Sequence, residues 1–156
     1  MRRKDREITD YQKILQIVSG CDCCRIGLVD GGEPYIVPLN FGWEDRDGRL
    51  VLYFHSAAEG RKIDLIPRQA LAAFEMDTSH RLSPGGTACQ FSYLYQCVMG
   101  KGRIEILRDP DEKIYGLQKI MAHYTDKTDW DFPAATLDRI AVLRLEVCEL
   151  SCKEHA

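Results

Sequence analysis

Two tight-turn signals, "DGGE" at residues 30–33 and "DRDG" at residues 45–48, divide the early chain into short apolar runs. Gly-Gly and Asp-Gly pairs tolerate the positive φ that two-residue hairpin loops demand. The runs they separate, "CRIGLVD", "PYIVPLNFGW" and "RLVLYFHS", are rich in β-branched and aromatic residues. Strands joined by loops this short pair antiparallel. The third run is apolar on both faces, which predicts a place inside a barrel or sandwich rather than at an edge.

The same reading extends along the chain. "ALAAFEMD" is a fourth strand, "TSHRLSPGGTA" a loop, and "CQFSYLYQCVMGKGRIEIL" one bent strand or two. In its second half Lys101, Arg103 and Glu105 alternate with Gly102, Ile104 and Ile106, the pattern of a half-buried strand. The closing "RIAVLRLEVCEL" alternates Leu143, Leu145 and Val147 with Arg144, Glu146 and Cys148. Three helices punctuate these strands. Thr9 and Gln12 have the form of a capping box ahead of Ile14, Leu15, Ile17 and Val18, and Gly20 stands where a C-cap belongs. Residues 60–66 give about two turns before Pro67. Asp109 caps a helix with Pro110 first inside it and Glu112 reaching back, and Ile114, Leu117, Met121 and Tyr124 share one face. A closed or partly closed barrel would leave few exposed edges. The expectation is a single domain over residues 1–156, mainly β with short helices.

Composition narrows the function classes. Hydrophobic residues make up 45% and charged residues 29%, and the formal net charge is −3, so neither nucleic acid nor an anionic membrane surface is an expected partner. The charged start "MRRKDREITD" is followed by no apolar stretch of signal-peptide type, and no run nears the length of a membrane helix. The expected setting is the cytoplasm, with its seven cysteines as free thiols. The cluster Cys21, Cys23 and Cys24 invites a metal, but structural zinc more often uses two matched pairs and there is no second pair here. Small buried thiols in a strand are the favoured reading, and no metal is expected.

The residues that carry chemistry fall in two segments. In "FHSAAEGRKIDLI" a buried strand runs into His55, Ser56, Gly60 and the adjacent cations Arg61 and Lys62 at a helix start. Cations are disfavoured at that end of a helix, so an anion partner is one explanation. With the Ser56 hydroxyl and the close backbone approach allowed by Gly60, a phosphate monoester fits. The alternative is a solvated amphipathic face. His55 is either a hydrogen-bonded structural residue or a group that orients or protonates a ligand. In "VPLNF", Pro38 cannot donate to a sheet ladder, so the sheet is interrupted or open there. Asn40 offers a donor and an acceptor to the edge of a heteroaromatic ring. The bland alternative is an edge strand with a bulge.

Four stretches in order, "PYIVPLNFGWE", "LYFHSAAEGRKIDLI", "VMGKGRIEIL" and "RIAVLRLEVCELSCKE", resemble the FMN-binding split-barrel family that contains pyridoxamine 5′-phosphate oxidase. Within it the chain is most similar to the nitroimidazole-resistance branch. The resemblance implies a six-stranded antiparallel split barrel and a homodimer with two FMN molecules in clefts between subunits. It implies that the phosphate lies on Ser56, Gly60, Arg61 and Lys62. The flavin ring would lie along Val37, Pro38, Leu39 and Asn40, with Phe54 and His55 beside it. Cys97 and Val98 match a strand that walls the flavin at or near the dimer interface. The chain departs from the vitamin B6 oxidases at Asn40, where they carry a basic residue. Its last stretch also lacks their Arg-x-His substrate clamp, so a second phosphate ester would find no charged partners.

The function this implies is an FMN-dependent oxidoreductase passing electrons from a nicotinamide or similar donor to a small acceptor such as a nitroaromatic, with His55 as the candidate catalytic group. A flavin-binding carrier or sensor without turnover is the alternative from a different class. Pyridoxamine 5′-phosphate oxidase is the third.

Overall fold

The computed structural model describes residues 3–156. Asp10 opens the first helix, α1 (Tyr11–Ser19), by accepting a hydrogen bond from the Gln12 amide at 3.0 Å. The cap is therefore Asp10 and not Thr9, because the carboxylate one residue later reaches the free amide of the first turn. Gly20 does close the helix, in right-handed geometry with φ −89°. Ile14, Leu15, Ile17 and Val18 form its buried stripe.

The strands are β1 (Glu7–Ile8), β2 (Cys24–Asp30), β3 (Glu33–Leu39), β4 (Phe41–Arg46), β5 (Arg49–Ala57), β6 (Leu71–Ser83), β7 (Ser92–Leu107) and β8 (Ile140–His155). They form one antiparallel sheet in the order β3-β2-β6-β7-β8-β5-β4, with β1 added on β8. Both expected hairpins are present. Gly31 and Gly32 turn β2 into β3 with φ of 60° and 92°, and Asp47 and Gly48 turn β4 into β5 with φ of 53° and 80°.

The sheet has eight strands, not six, and it does not close. One extra strand is β1, whose two residues pair with Cys152 and Lys153 and carry no strand signal of their own. The other comes from "PYIVPLNFGW", which reads as one strand but makes two. β3 ends at Leu39 and β4 starts at Phe41, at opposite ends of the sheet order. The covalent chain crosses between the two edges at Asn40, and no strand pairing joins β3 to β4 among the described residues. Pro38, without an N–H, sits in the strand that stops there. β3 is thus an edge strand paired with β2 alone, in unbroken register.

β6 also runs farther than its sequence suggests. "TSHRLS" continues the strand, because a bulge between Thr78 and Arg81 absorbs Ser79 (φ 58°) and His80 before pairing with β7 resumes. β7 is a single strand of 16 residues.

The curled sheet wraps one core. Ile26, Phe41, Leu52, Phe54, Phe74, Met76, Val98, Leu143, Leu145 and Cys152 meet there with the stripe of α1. Each fully buried Leu or Phe in such a core contributes about 1.5–3 kcal/mol. A second core lies outside the barrel, where α3 (Pro110–Tyr124) covers Val51, Tyr53 and Val142 with Leu117 and Ile120. β5 is therefore buried on both faces, as its sequence implies. Asp109 caps α3, accepting from the amides of Asp111 at 3.0 Å and Glu112 at 3.1 Å. The Glu112 carboxylate turns instead to Arg144, and the buried face is Gly116, Leu117 and Ile120, leaving Tyr124 exposed. Gly42 on β4 lets the helix approach: a Cβ there would stand 2.3 Å from backbone atoms of Lys119 and Ile120. The remaining elements are the short helices α2 (Arg61–Leu65) and α4 (Ala134–Leu137) and three single turns of 3-10 helix at Lys4–Arg6, Ile66–Arg68 and Ala88–Gln90. No helix among the described residues is long and apolar enough to cross a membrane.

Candidate functional site

The end of β5 and the start of α2 place the basic pair beside the β2–β3 hairpin. Gly60 precedes the helix at φ 125°, a conformation rarely adopted by residues with a side chain, and a Cβ there would meet nothing within 4 Å. Its carbonyl accepts from the Ile63 amide at 2.9 Å. The space beside the helix start is open.

Arg61 already has partners that its own neighbourhood in sequence does not reveal. Its Nε donates to the Asp30 carboxylate, and its guanidinium lies 4.9 Å from the centre of the Tyr35 ring. The pair is largely solvated, with the Arg61 side chain 59% exposed, so it contributes little to stability. Lys62 is half-buried and has no ion-pair partner among the described residues. Ser56 donates its hydroxyl to the neighbouring Ala57 carbonyl at 2.8 Å, a local bond that an incoming acceptor could replace.

Strand alternation sorts the other residues. Phe54 faces the barrel core, fully buried, while His55 is exposed and sits opposite Val142 on the other face. Val98 is likewise fully buried in the core. Phe54 and Val98 can therefore meet a surface ligand only through their backbone. Val37 and Leu39 are half-buried against the core, whereas Pro38 and Asn40 are exposed where β3 ends. Cys97 points outward from β7, its thiol 3.7 Å from Glu75, and burial pushes its pKa up to about 12. It pairs with Asp77 and Lys153, so within one chain β2 and β6 stand between it and β3. The fold brings Arg61, at the start of α2, onto the β2–β3 hairpin at Asp30 and Tyr35. Cys97 stands away from that hairpin, with β6 and β2 between, and Val98 shares only the buried core with Phe54.

Three contacts from the last turn of α3 fix the gap at Asn40. Tyr124 donates its hydroxyl to the Asp22 carbonyl at 2.8 Å and accepts from the Phe41 amide at 3.1 Å. His123 Nε2 lies 2.7 Å from the Cys21 carbonyl, and burial holds the ring pKa below its usual value. These bonds account for Cys21 and Asp22 as part of a structural clasp. Cys21 and Cys24 are buried and Cys23 is half-buried; only Cys24 lies within a strand.

A flavin's phosphate would fit this arrangement: a Lys62 without an ion-pair partner among the described residues, an Arg61 held by the half-buried carboxylate of Asp30, and open space at Gly60. The sequence reading missed Asp30 and Tyr35. The signal for Asp30 was an acidic residue at a glycine turn, too common to single out.

Residues 10–154 match the model of the family described as pyridoxamine 5′-phosphate oxidase. The structure is similar to that of a candidate 5-nitroimidazole antibiotic resistance protein from Bacteroides thetaiotaomicron. That match has 32% identity and a TM-score of 0.82, and covers 95% of this chain and 86% of that one. It is also similar to the flavocytochrome Anf3 from Azotobacter vinelandii, at 21% identity and TM-score 0.83, covering 100% of this chain and 72% of that one. A third is the FAD and heme binding protein from Mycobacterium smegmatis, at 18% identity and TM-score 0.82, covering 96% and 73%. The last two likenesses speak for the fold alone. Comparison with curated protein sequences finds no match.

Proposed function

The chain belongs to the pyridoxamine 5′-phosphate oxidase family, and from that premise we propose that it binds FMN and acts as an oxidoreductase on a small acceptor such as a nitroaromatic. The observation that carries the flavin reading is the basic pair Arg61–Lys62 beside open space at Gly60 and next to the β2–β3 hairpin. Lys62 and Arg61 would hold the phosphate with charge-assisted hydrogen bonds, joined by the Ser56 hydroxyl. Pro38 and Asn40, exposed where the sheet stops, would meet the ring, and Asn40 would present both a donor and an acceptor. His55 is exposed on the opposite face of β5 from Ser56 and is the candidate group for orienting or protonating an acceptor. When bound, the flavin supplies the hydride and electron chemistry that no side chain here can provide. The nitroaromatic acceptor is supported by the likeness to the candidate 5-nitroimidazole antibiotic resistance protein from Bacteroides thetaiotaomicron.

A second copy of the chain would complete the site. The outward face of β2, β3 and β6 exposes Val29 (59%), Ile36 (67%) and Leu71 (46%), and its register rows include the small residues Gly27 and Ala73. An apolar face of this kind on a sheet edge is suited to burial against a symmetric partner. Flavin release on dilution, in step with dimer dissociation, is the expected behaviour; a flavin-saturated monomer in sedimentation would remove this part of the reading.

Fluorescence titration with FMN and riboflavin tests the cradle. Charge-assisted hydrogen bonds contribute about 1.5–3 kcal/mol, so Lys62→Ala should weaken FMN by about tenfold or more and leave riboflavin nearly unchanged. Arg61→Ala should cost less, because binding must first draw Arg61 from Asp30. Equal weakening of both ligands would refute phosphate recognition. Anaerobic titration of the FMN-loaded protein with NADH or NADPH then separates enzyme from carrier: bleaching within seconds supports turnover, and a persistent oxidised spectrum supports a carrier or sensor.

A further inference from the structure

We infer that the chain has a second, separate anion site, a cavity of about 400 Å³ lined by Arg46, Arg49 and Arg103 that takes a small phosphate monoester. Glu146, Val51, Val147 and Cys148 complete its walls.

Arg46 and Arg49 are directly opposite across the β4–β5 hairpin. Like charges in that position repel, so the pair needs compensation. Arg46 finds it in Glu44 at 2.7 Å and Glu146 at 3.6 Å. Arg49 and Arg103 make no ion pair among the described residues. Arg103 reaches the same cavity because Glu146 pairs with it on one side and with Val51 on the other. Next to them the β7–β8 register shifts between Lys101 and Gly102, leaving Cys148 as the extra residue of a bulge that re-aims this stretch of sheet.

Charge then selects the ligand. Three arginines against the single lining carboxylate of Glu146 leave a local excess of two positive charges. Glu44 lies between Arg46 at 2.7 Å and Lys119 at 3.2 Å, so those three groups still carry one net positive charge, while Arg144, 3.7 Å from Glu146, is taken up by Glu105 and Glu112 outside the cavity lining. A phosphate monoester, with a charge of roughly −1.5 to −2 at neutral pH, matches the excess. A carboxylate would leave one charge unpaired. Guanidinium forks also bind phosphate oxygens in pairs. Val51 offers almost no surface at 2% exposure, so the apolar part of the lining comes from half-buried Val147 and exposed Cys148, enough for a body no larger than a single ring.

This cavity is not the flavin cradle. Arg49 and Ser56 lie seven residues apart on one strand, roughly 23 Å at about 3.3 Å per residue. The inference therefore stands whether or not the chain binds flavin.

Calorimetry with phenyl phosphate, at low salt and on the protein as purified, tests it. Expected is saturable binding with Kd below about 1 mM, an energy of roughly 4 kcal/mol. Arg49→Gln and Arg103→Gln should each weaken it by about tenfold, the usual scale for losing one charge-assisted hydrogen bond. Lys62→Ala should leave it unchanged, and benzoate should bind at least about tenfold more weakly than phenyl phosphate. Both arginines are exposed, so melting temperatures should confirm that the variants fold. Failure to saturate by 10 times that concentration overturns the site, as does a loss caused by Lys62→Ala instead of the arginine variants. Arginine variants that dissociate a dimer, in a protein that ignores phenyl phosphate, also overturn it.

Discussion

Replacing Glu44 by glutamine removes one charge while keeping the shape of the side chain. The Glu44 side chain is only 12% exposed, wedged between β4 and α3. Four groups donate to its carboxylate: the Tyr53 hydroxyl at 2.8 Å, the Tyr115 hydroxyl, Arg46 at 2.7 Å and Lys119 at 3.2 Å. Burial by itself pushes the carboxyl pKa up, but the four donors together outweigh it and hold the value at about 2 against an ordinary 4.5. At about 1.4 kcal/mol per unit, that difference is worth roughly 3 kcal/mol of folding free energy. The folded pKa is the depressed one, so this stability is fully present above pH 4.5 and drains away as pH falls toward 2. Glu44→Gln cannot titrate. In urea unfolding it should be less stable than the parent by about 2–4 kcal/mol at pH 7. The gap should shrink steadily below pH 4.5 and approach about 1 kcal/mol near pH 2.5, as other carboxylates titrate in both proteins alike. A gap that stays constant from pH 7 to pH 3 would refute the reasoning, since the charge on Glu44 would then contribute nothing to folding.

Three further outcomes are expected. Gly42→Ala places a Cβ against the α3 backbone and should destabilise by about 2–3 kcal/mol, read as a lowered urea midpoint; a change under about 0.5 kcal/mol would mean that the helix can shift freely. Asp30→Asn frees Arg61 from its one carboxylate partner among the described residues and should tighten FMN by up to about fivefold, with riboflavin unmoved in the same titration; a weaker FMN complex would show that Asp30 positions Arg61 and does not compete for it. Alkylation of the native protein at pH 7 should label the exposed Cys89 and Cys148 first. Cys21, Cys97 and Cys152, with thiol pKa values pushed by burial to about 12, 12 and 11, should lag until denaturant is added, when all seven should react.

What could be read from the sequence was what local chemistry decides. Gly31–Gly32 and Asp47–Gly48 specify their hairpins because few other residues accept those φ values. Residues 50–54 announced a strand buried on both faces, and Asp109–Pro110 announced a helix start. What escaped depends on partners far along the chain. Arg61 meets an aspartate 31 residues away, and Arg49 meets Arg103 across a cavity formed by β4, β5, β7 and β8. The β6 bulge hid in "TSHR" because Ser79 and His80 stand opposite the single Tyr95 of β7, a net gain of one residue that breaks the alternation by which strands are found. Phe54 is a different case. Its alternation with His55 already placed it in the core, and the assignment beside the ring came from the resemblance alone.

The split in the barrel and the cradle have one source. β3 pairs only with β2, so along its other edge alternate residues present N–H and C=O groups that no strand claims. Soluble proteins blunt such edges, and Pro38 does so here by removing one donor near the end. The chain then crosses at Asn40 to the far edge of the sheet, pinned by the Tyr124 hydroxyl on the Phe41 amide. At its other end the same hairpin supplies Asp30 and Tyr35, which hold Arg61. A ligand lying along β3 would therefore find unpaired backbone donors and acceptors for a planar ring and, toward the turn, cations for an anionic tail. On the proposed reading, that order of groups along one edge strand is why a flavin bearing a phosphate suits the site better than either a bare ring or a bare phosphate.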